Sequence, residues 1–155
     1  MAIDLDEDTL QFIRAHRVGR LATVARDNKP SVIPICYVFD GERVYSSIDE
    51  KPKSVAPEQL KRVRNISANS AVALVVDDYA EDWNELRYVL LVGLASIILP
   101  GDEDDEHRKA VQQLRNKYVQ YRDMEIDKRP IIRILVTGIK QWAPKKKGDD
   151  DAKED

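Results

Sequence analysis

Cysteine is almost missing from this sequence: Cys36 is the only one in 155 residues, so no disulfide within the chain can brace the fold. Its neighbours, Ile35 and Tyr37-Val38, read as a buried strand, where a cysteine behaves as a small hydrophobe. Histidine is nearly as scarce, with two in the chain. His16 closes a predicted helix, where a cationic ring is favoured, and His107 sits on an acidic helix, where a solvated ion pair is expected. Neither is placed for catalysis, and no metal site and no catalytic acid, base or nucleophile is assigned. No basic stretch followed by an apolar one opens the chain, so no secretory signal is expected. The longest apolar run, Tyr88 to Leu99, is broken by Gly93 and Ser96 and is too short to span a bilayer. A cytoplasmic protein without a membrane partner is expected. An excess of positive charge is also absent. Lys plus Arg number 25 against 28 for Asp plus Glu, a net charge of −3, which gives no reason to expect nucleic acid as a partner.

What is present is a globular composition, 43% apolar and 34% charged, of a length that suits one domain. That domain is expected over residues 1–144, followed by a charged, disordered tail over 145–155. Asp4 to His16 reads as a helix with an acidic start and Leu5, Thr9, Leu10, Phe12 and Ile13 on one broad side. Three strands follow: Val18 to Ala25, Ser31 to Phe39 and Arg43 to Ile48. Asp40-Gly41 forms the hairpin turn between the last two, and Pro34 implies an edge position or a bulge. Ser54 to Ser67 has helical spacing, with Leu60, Val63 and Ile66 on one face. Ala71 to Val76 and Leu86 to Leu99 are strands, the latter apolar on both faces, as in a barrel wall that also meets another subunit. Asp102 to Tyr121 is a helix and Ile131 to Trp142 the last strand. Six strands, three helices and hairpin links predict a mainly β protein, a six-stranded antiparallel split β-barrel with flanking helices, rather than a doubly wound sheet.

Two segments could carry chemistry. At the first, Tyr45-Ser46-Ser47-Ile48-Asp49-Glu50-Lys51-Pro52-Lys53, a strand ends in two hydroxyls and a short loop adds two lysines before a helix bearing Lys61, Arg62 and Arg64. Hydroxyls, backbone N–H groups, a helix N-terminus and cations together suit a phosphate monoester. A solvated basic helix face is the alternative. The second, Asp77 to Tyr88, sets Tyr79, Trp83 and Tyr88 among carboxylates. With no histidine nearby the carboxylates read as solvated, while the aromatics could wall a planar ligand or pack in a core or interface.

The stretches KPK, LKRVRNISANSAV, LVVDDYAEDW and RPIIRILVTGIKQWAP resemble the pyridoxamine-phosphate-oxidase-like superfamily, and within it the branch of coenzyme F420-dependent oxidoreductases. The resemblance spans Val18 to Trp142. It implies a homodimer with two cofactor sites in the clefts between subunits, and hydride transfer between the bound ring and a small organic acceptor. The cofactor would carry the chemistry, as F420 or alternatively FMN. A non-catalytic carrier of a flavin or haem-type ligand is the rival reading. Carried over residue by residue, Lys53 and then Lys51, Lys61 and Arg62 would hold the phosphate. Ser46, Ser47, Ile48 and Asp49 would pass along the ring and its ribityl chain. Ile33, Pro34 and Ile35 would meet the ring edge through their backbone. Trp83 and Tyr88 would close the cleft, from either subunit, and Arg133 would add a further cofactor contact. The sequence departs from the family at Arg87-Tyr88, where related chains carry an aromatic pair. The Val55-Ala56-Pro57 insert leaves open whether Lys61 or Arg62 faces the phosphate.

Overall fold

The computed structural model describes residues 3–48, 60–102 and 104–145. The Asp6 carboxylate caps the first helix, α1 (Glu7–Ala15), by accepting from the Thr9 N–H at 2.7 Å, and α1 buries Ile13 completely. Then come β1 (Gly19–Val24), β2 (Pro30–Ile35), β3 (Val38–Phe39), β4 (Arg43–Ser47), α2 (Lys61–Ala68), β5 (Ala71–Asp78), β6 (Arg87–Ile98), α3 (Asp104–Lys117) and β7 (Ile131–Trp142). Short 3₁₀ turns at Trp83–Glu85, Val119–Asp123 and Ile126–Lys128 fill the connections.

All strand pairs are antiparallel, in the order β2-β1-β5-β6-β7-β4-β3. The strand expected over Ser31 to Phe39 is therefore two strands, and the sheet has seven rather than six. β2 pairs with β1 at one edge and β3 with β4 at the other, so Cys36-Tyr37 carries the chain from one end of the curled sheet to the other. Pro34 lies on an edge strand, where its missing N–H costs no ladder bond. Of the helix expected over Ser54 to Ser67, Lys61–Ala68 is helical and 54–59 lie outside the described residues. The helix expected over Asp102 to Tyr121 ends at Lys117 and continues as a 3₁₀ turn.

Alternate strand residues point into the barrel, which Leu21, Val44, Leu74, Val76, Leu91, Ile132 and Ile134 fill. α2 stops one end with Val63 and Ile66, and its buried Asn65 donates to Thr23 Oγ1 at 3.0 Å. A second core lies between α3 and the outer side of β4 and β7, built on Tyr45, Val111, Leu114, Ile126 and Ile131. There Glu106 accepts from Tyr45 Oη at 2.7 Å and from the Arg43 guanidinium at 2.6 Å. A bulge at Val92/Gly93 lets β6 follow the curvature. A methyl group at Gly93 would overlap the Leu135 carbonyl oxygen.

The crossing has no ladder partner of its own, so side chains satisfy it. The Tyr37 N–H donates to Tyr118 Oη at 2.9 Å, whose proton faces the Arg17 and Tyr37 carbonyls at 2.8 and 3.0 Å. Burial pushes the Tyr118 phenol up to about 12, so it remains a hydroxyl at neutral pH. Tyr37 Oη donates to the Ile13 carbonyl of α1. An unpaired buried N–H costs about 1–3 kcal/mol. Tyr118→Phe, which strands the Tyr37 N–H, is therefore expected to lower stability by about that amount in urea unfolding, with an unchanged m-value.

Candidate functional site

The crossing brings β2 alongside the end of β4. Pro34, Ile35 and Cys36 on one side and Ser46 and Ser47 on the other line a recess of about 200 Å³, with Val18 and Arg62 completing it. Both serines are buried, but their hydroxyls are used differently. Ser46 Oγ donates to the Cys36 carbonyl at 2.7 Å and ties β4 to the crossing. Ser47 Oγ is buried and has no hydrogen-bond partner among the described residues. An orphaned buried hydroxyl beside an arginine is a feature to be explained, because native proteins satisfy nearly all such groups. A phosphate oxygen would accept from both.

The recess thus gathers Pro34, Ile35, Ser46, Ser47 and Arg62 of the expected site residues. It also includes Val18 and Cys36, which sequence reasoning treated as plain strand residues; their positions beside Gly19 and Tyr37 gave no chemical signal. Asp49, Lys51 and Lys53 lie outside the described residues. Ile33 is half-buried against the barrel core and Ile48 is wholly within it. The Ile48 N–H donates to the Pro130 carbonyl at 3.1 Å.

On α2, Arg62 lines this recess and Lys61 does not. Lys61 points elsewhere, into a groove of about 840 Å³ with Arg64, one turn further on, and Arg26 of the β1–β2 turn. Arg133 turns away from the recess. Its Nε donates to Ser96 Oγ at 3.2 Å and its Nη1 to Glu106 at 2.5 Å. Tyr88 stacks on Trp142, with ring centroids 6.5 Å apart and planes 15° from parallel. The pair belongs to a separate recess of about 530 Å³ on the outer face of the sheet. Its link to the first recess is Arg20, the cross-strand neighbour of Pro34. Trp83 is 70% exposed on its 3₁₀ turn. Within the chain, therefore, neither Trp83 nor Tyr88 walls the Ser47–Arg62 recess.

Residues 5–143 match the pyridoxamine 5'-phosphate oxidase family. The chain belongs to that family. The 5a,11a-dehydrotetracycline/5a,11a-dehydrooxytetracycline reductase of Streptomyces rimosus subsp. rimosus is 29% identical over 107 residues, 68% of this chain and 72% of the reductase. Among solved structures, an F420 reductase is 25% identical with a TM-score of 0.60, covering 89% of this chain and 98% of its own. The haem storage protein HutZ of Vibrio cholerae has a TM-score of 0.69 at 14% identity over 91% of this chain and 95% of its own, which shows a shared fold. The family and the split barrel expected from the sequence are thereby confirmed.

The two serines make a separable pair. Ser46→Ala removes a bond that the folded chain makes and should cost about 1 kcal/mol. Ser47→Ala removes a hydroxyl that bonds nothing among the described residues and should change stability by less than about 0.5 kcal/mol. Parallel thermal melts of the two variants check this contrast.

Proposed function

We propose that this protein is an F420-dependent oxidoreductase that works as a homodimer, with each cofactor seated where one subunit's Ser47–Arg62 recess meets the other subunit. The observation that carries the reading is the unpartnered Ser47 hydroxyl beside Arg62 in a recess shaped by backbone from β2 and β4. When bound, the deazaflavin ring would supply the hydride transferred to a small organic acceptor. The chain's own part is to hold and orient. Ser47 and Arg62 would take the phosphate, with Lys53 and Lys51 expected beside them, and the Pro34-Ile35 backbone would border the ring.

Size favours the dimer. A recess of about 200 Å³ is smaller than the roughly 300–1,000 Å³ of a typical ligand pocket, so a tricyclic ring needs a second wall. The outer face of the sheet offers a surface for a second subunit. Val32, Val92, Leu94 and Leu135 are all exposed on it. Cross-strand pairing runs Val32–Ala22–Ala73–Val92 in one row and Leu94–Leu135 in the next. In such an assembly the partner's Trp83 or Tyr88 is free to close the cleft.

Charge favours F420 over FMN. Although the chain is acidic overall, residues 51–76 hold five basic residues (Lys51, Lys53, Lys61, Arg62, Arg64) and one acid, Glu58. The groove of Lys61, Arg64 and Arg26 offers cationic surface for the acidic tail that distinguishes F420. The similarity to an F420 reductase points the same way.

Titration of the purified protein with F420 and with FMN, followed by visible absorption, tests the proposal. F420 is expected to bind at least about tenfold more tightly than FMN. Ser47→Ala and Arg62→Ala should each weaken it by about tenfold or more, the worth of one hydrogen bond to a charged group. Sedimentation should give twice the 17.7 kDa chain mass. Preference for FMN would reassign the cofactor, and no binding of either would refute the reading.

A further inference from the structure

The recess that holds Tyr88 and Trp142 shares no lining residue with the one at Ser47 and Arg62. Its floor is the outer face of the sheet, where the cross-strand rows Arg20–Val75–Leu90 and Asp77–Tyr88–Trp142 lie side by side. At about 530 Å³ it falls within the roughly 300–1,000 Å³ of small-molecule pockets. None of the exposed side chains offered to a second subunit (Val32, Val92, Leu94, Leu135) lines it.

Charge within this recess cancels. Two arginines and two aspartates line it, and each is already engaged. Arg20 donates to Asp77 at 2.9 Å, and Asp78 lies 2.6 Å from His16 Nε2. Arg87 is drawn towards α1, where it pairs with Asp8 at 2.9 Å and lies 4.3 Å from the centre of the Phe12 ring. A charged ligand would have to break one of these pairs or lose water without a counter-ion, so the site favours an uncharged one.

The remaining surface is aromatic and aliphatic. The Tyr88 and Trp142 rings lie within 15° of parallel, so a flat molecule laid against one is aligned with the other. Val75, Leu86 and Leu90 add aliphatic contact. The Tyr79 and Tyr88 hydroxyls and the Trp142 indole N–H make no hydrogen bond among the described residues. All three can donate, and a carbonyl oxygen would accept from them.

We propose that this recess binds the organic acceptor, and that the acceptor is an uncharged, planar aromatic carbonyl compound stacked on Tyr88 and Trp142. Its role as acceptor site rests on the oxidoreductase reading above. Arg20, the cross-strand neighbour of Pro34, sets it beside the recess of Ser47 and Arg62.

The test is quenching of Trp142 emission in the full chain, titrated without F420. Trp83→Phe leaves Trp142 as the sole tryptophan, and Trp83 is exposed enough that its loss spares the core. The ligands are 2-hydroxymethylanthraquinone, which is uncharged, and anthraquinone-2-sulfonate. The uncharged one is expected to bind at least about tenfold more tightly. Tyr88→Leu should weaken it about fivefold, the worth of one aromatic pair. Asp77→Asn leaves Arg20 without its partner and should strengthen sulfonate binding about threefold, with the uncharged ligand unchanged. Equal affinities for the two ligands, or no effect of Tyr88→Leu, would overturn the proposal. So would an affinity that falls as protein concentration rises, since a second copy would then fill the recess. Because F420 takes no part, failure here is distinct from failure of the cofactor titration, which reads the Ser47–Arg62 recess.

Discussion

Two residues, Cys36 and Tyr37, carry the chain across the mouth of a curled sheet, and most of what is distinctive here depends on satisfying their backbone. A segment that leaves one edge strand to join the opposite one forfeits its ladder bonds, and buried peptide groups without partners are costly. Tyr118 meets this need from the end of α3, and Ser46 meets it from β4 by donating to the Cys36 carbonyl. These bonds close the barrel on itself without a continuous ring of strand pairing. They also fix β2 beside the end of β4, and so create the recess.

That arrangement explains why the two neighbouring serines have different fates. Ser46 is spent on the fold, whereas Ser47, one residue later on the alternate face of the strand, is buried with nothing to bond among the described residues. Arg133 is kept from the recess by its own partners on β6 and α3. As the cross-strand partner of Tyr45 it faces α3, where Glu106 engages both side chains.

Much of the fold was legible because strand alternation and helical periodicity are local signals. The elements at α1, β1, β4, β5, β6, α3 and β7 follow directly from them. The break at Cys36-Tyr37 was not legible, because an unbroken apolar run from Ile35 to Phe39 has the same pattern whether it pairs with one neighbour or changes partners half-way. Pairing at long range decides that. On α2, composition showed that cations cluster but could not choose between adjacent residues about 100° apart around the helix axis. Packing of Val63 and Ile66 into the barrel sets the rotation and turns Arg62 to the recess, with Lys61 and Arg64 left together on another side.

Charge is distributed as unevenly along the chain as hydrogen bonding is around the crossing. Five bases and one acid between residues 51 and 76 give way to Asp77, Asp78, Glu81, Asp82 and Glu85 immediately afterwards. The cationic helix and the acidic loop thus stand at opposite ends of β5, with the exposed apolar rows of the sheet between them. The decisive measurement is the position of the phosphate in a crystal of the chain with F420. Phosphate oxygens are expected to accept from Ser47 Oγ and the Arg62 guanidinium; a phosphate lodged instead in the Lys61–Arg64 groove, with Ser47 still unbonded, would contradict the proposed site.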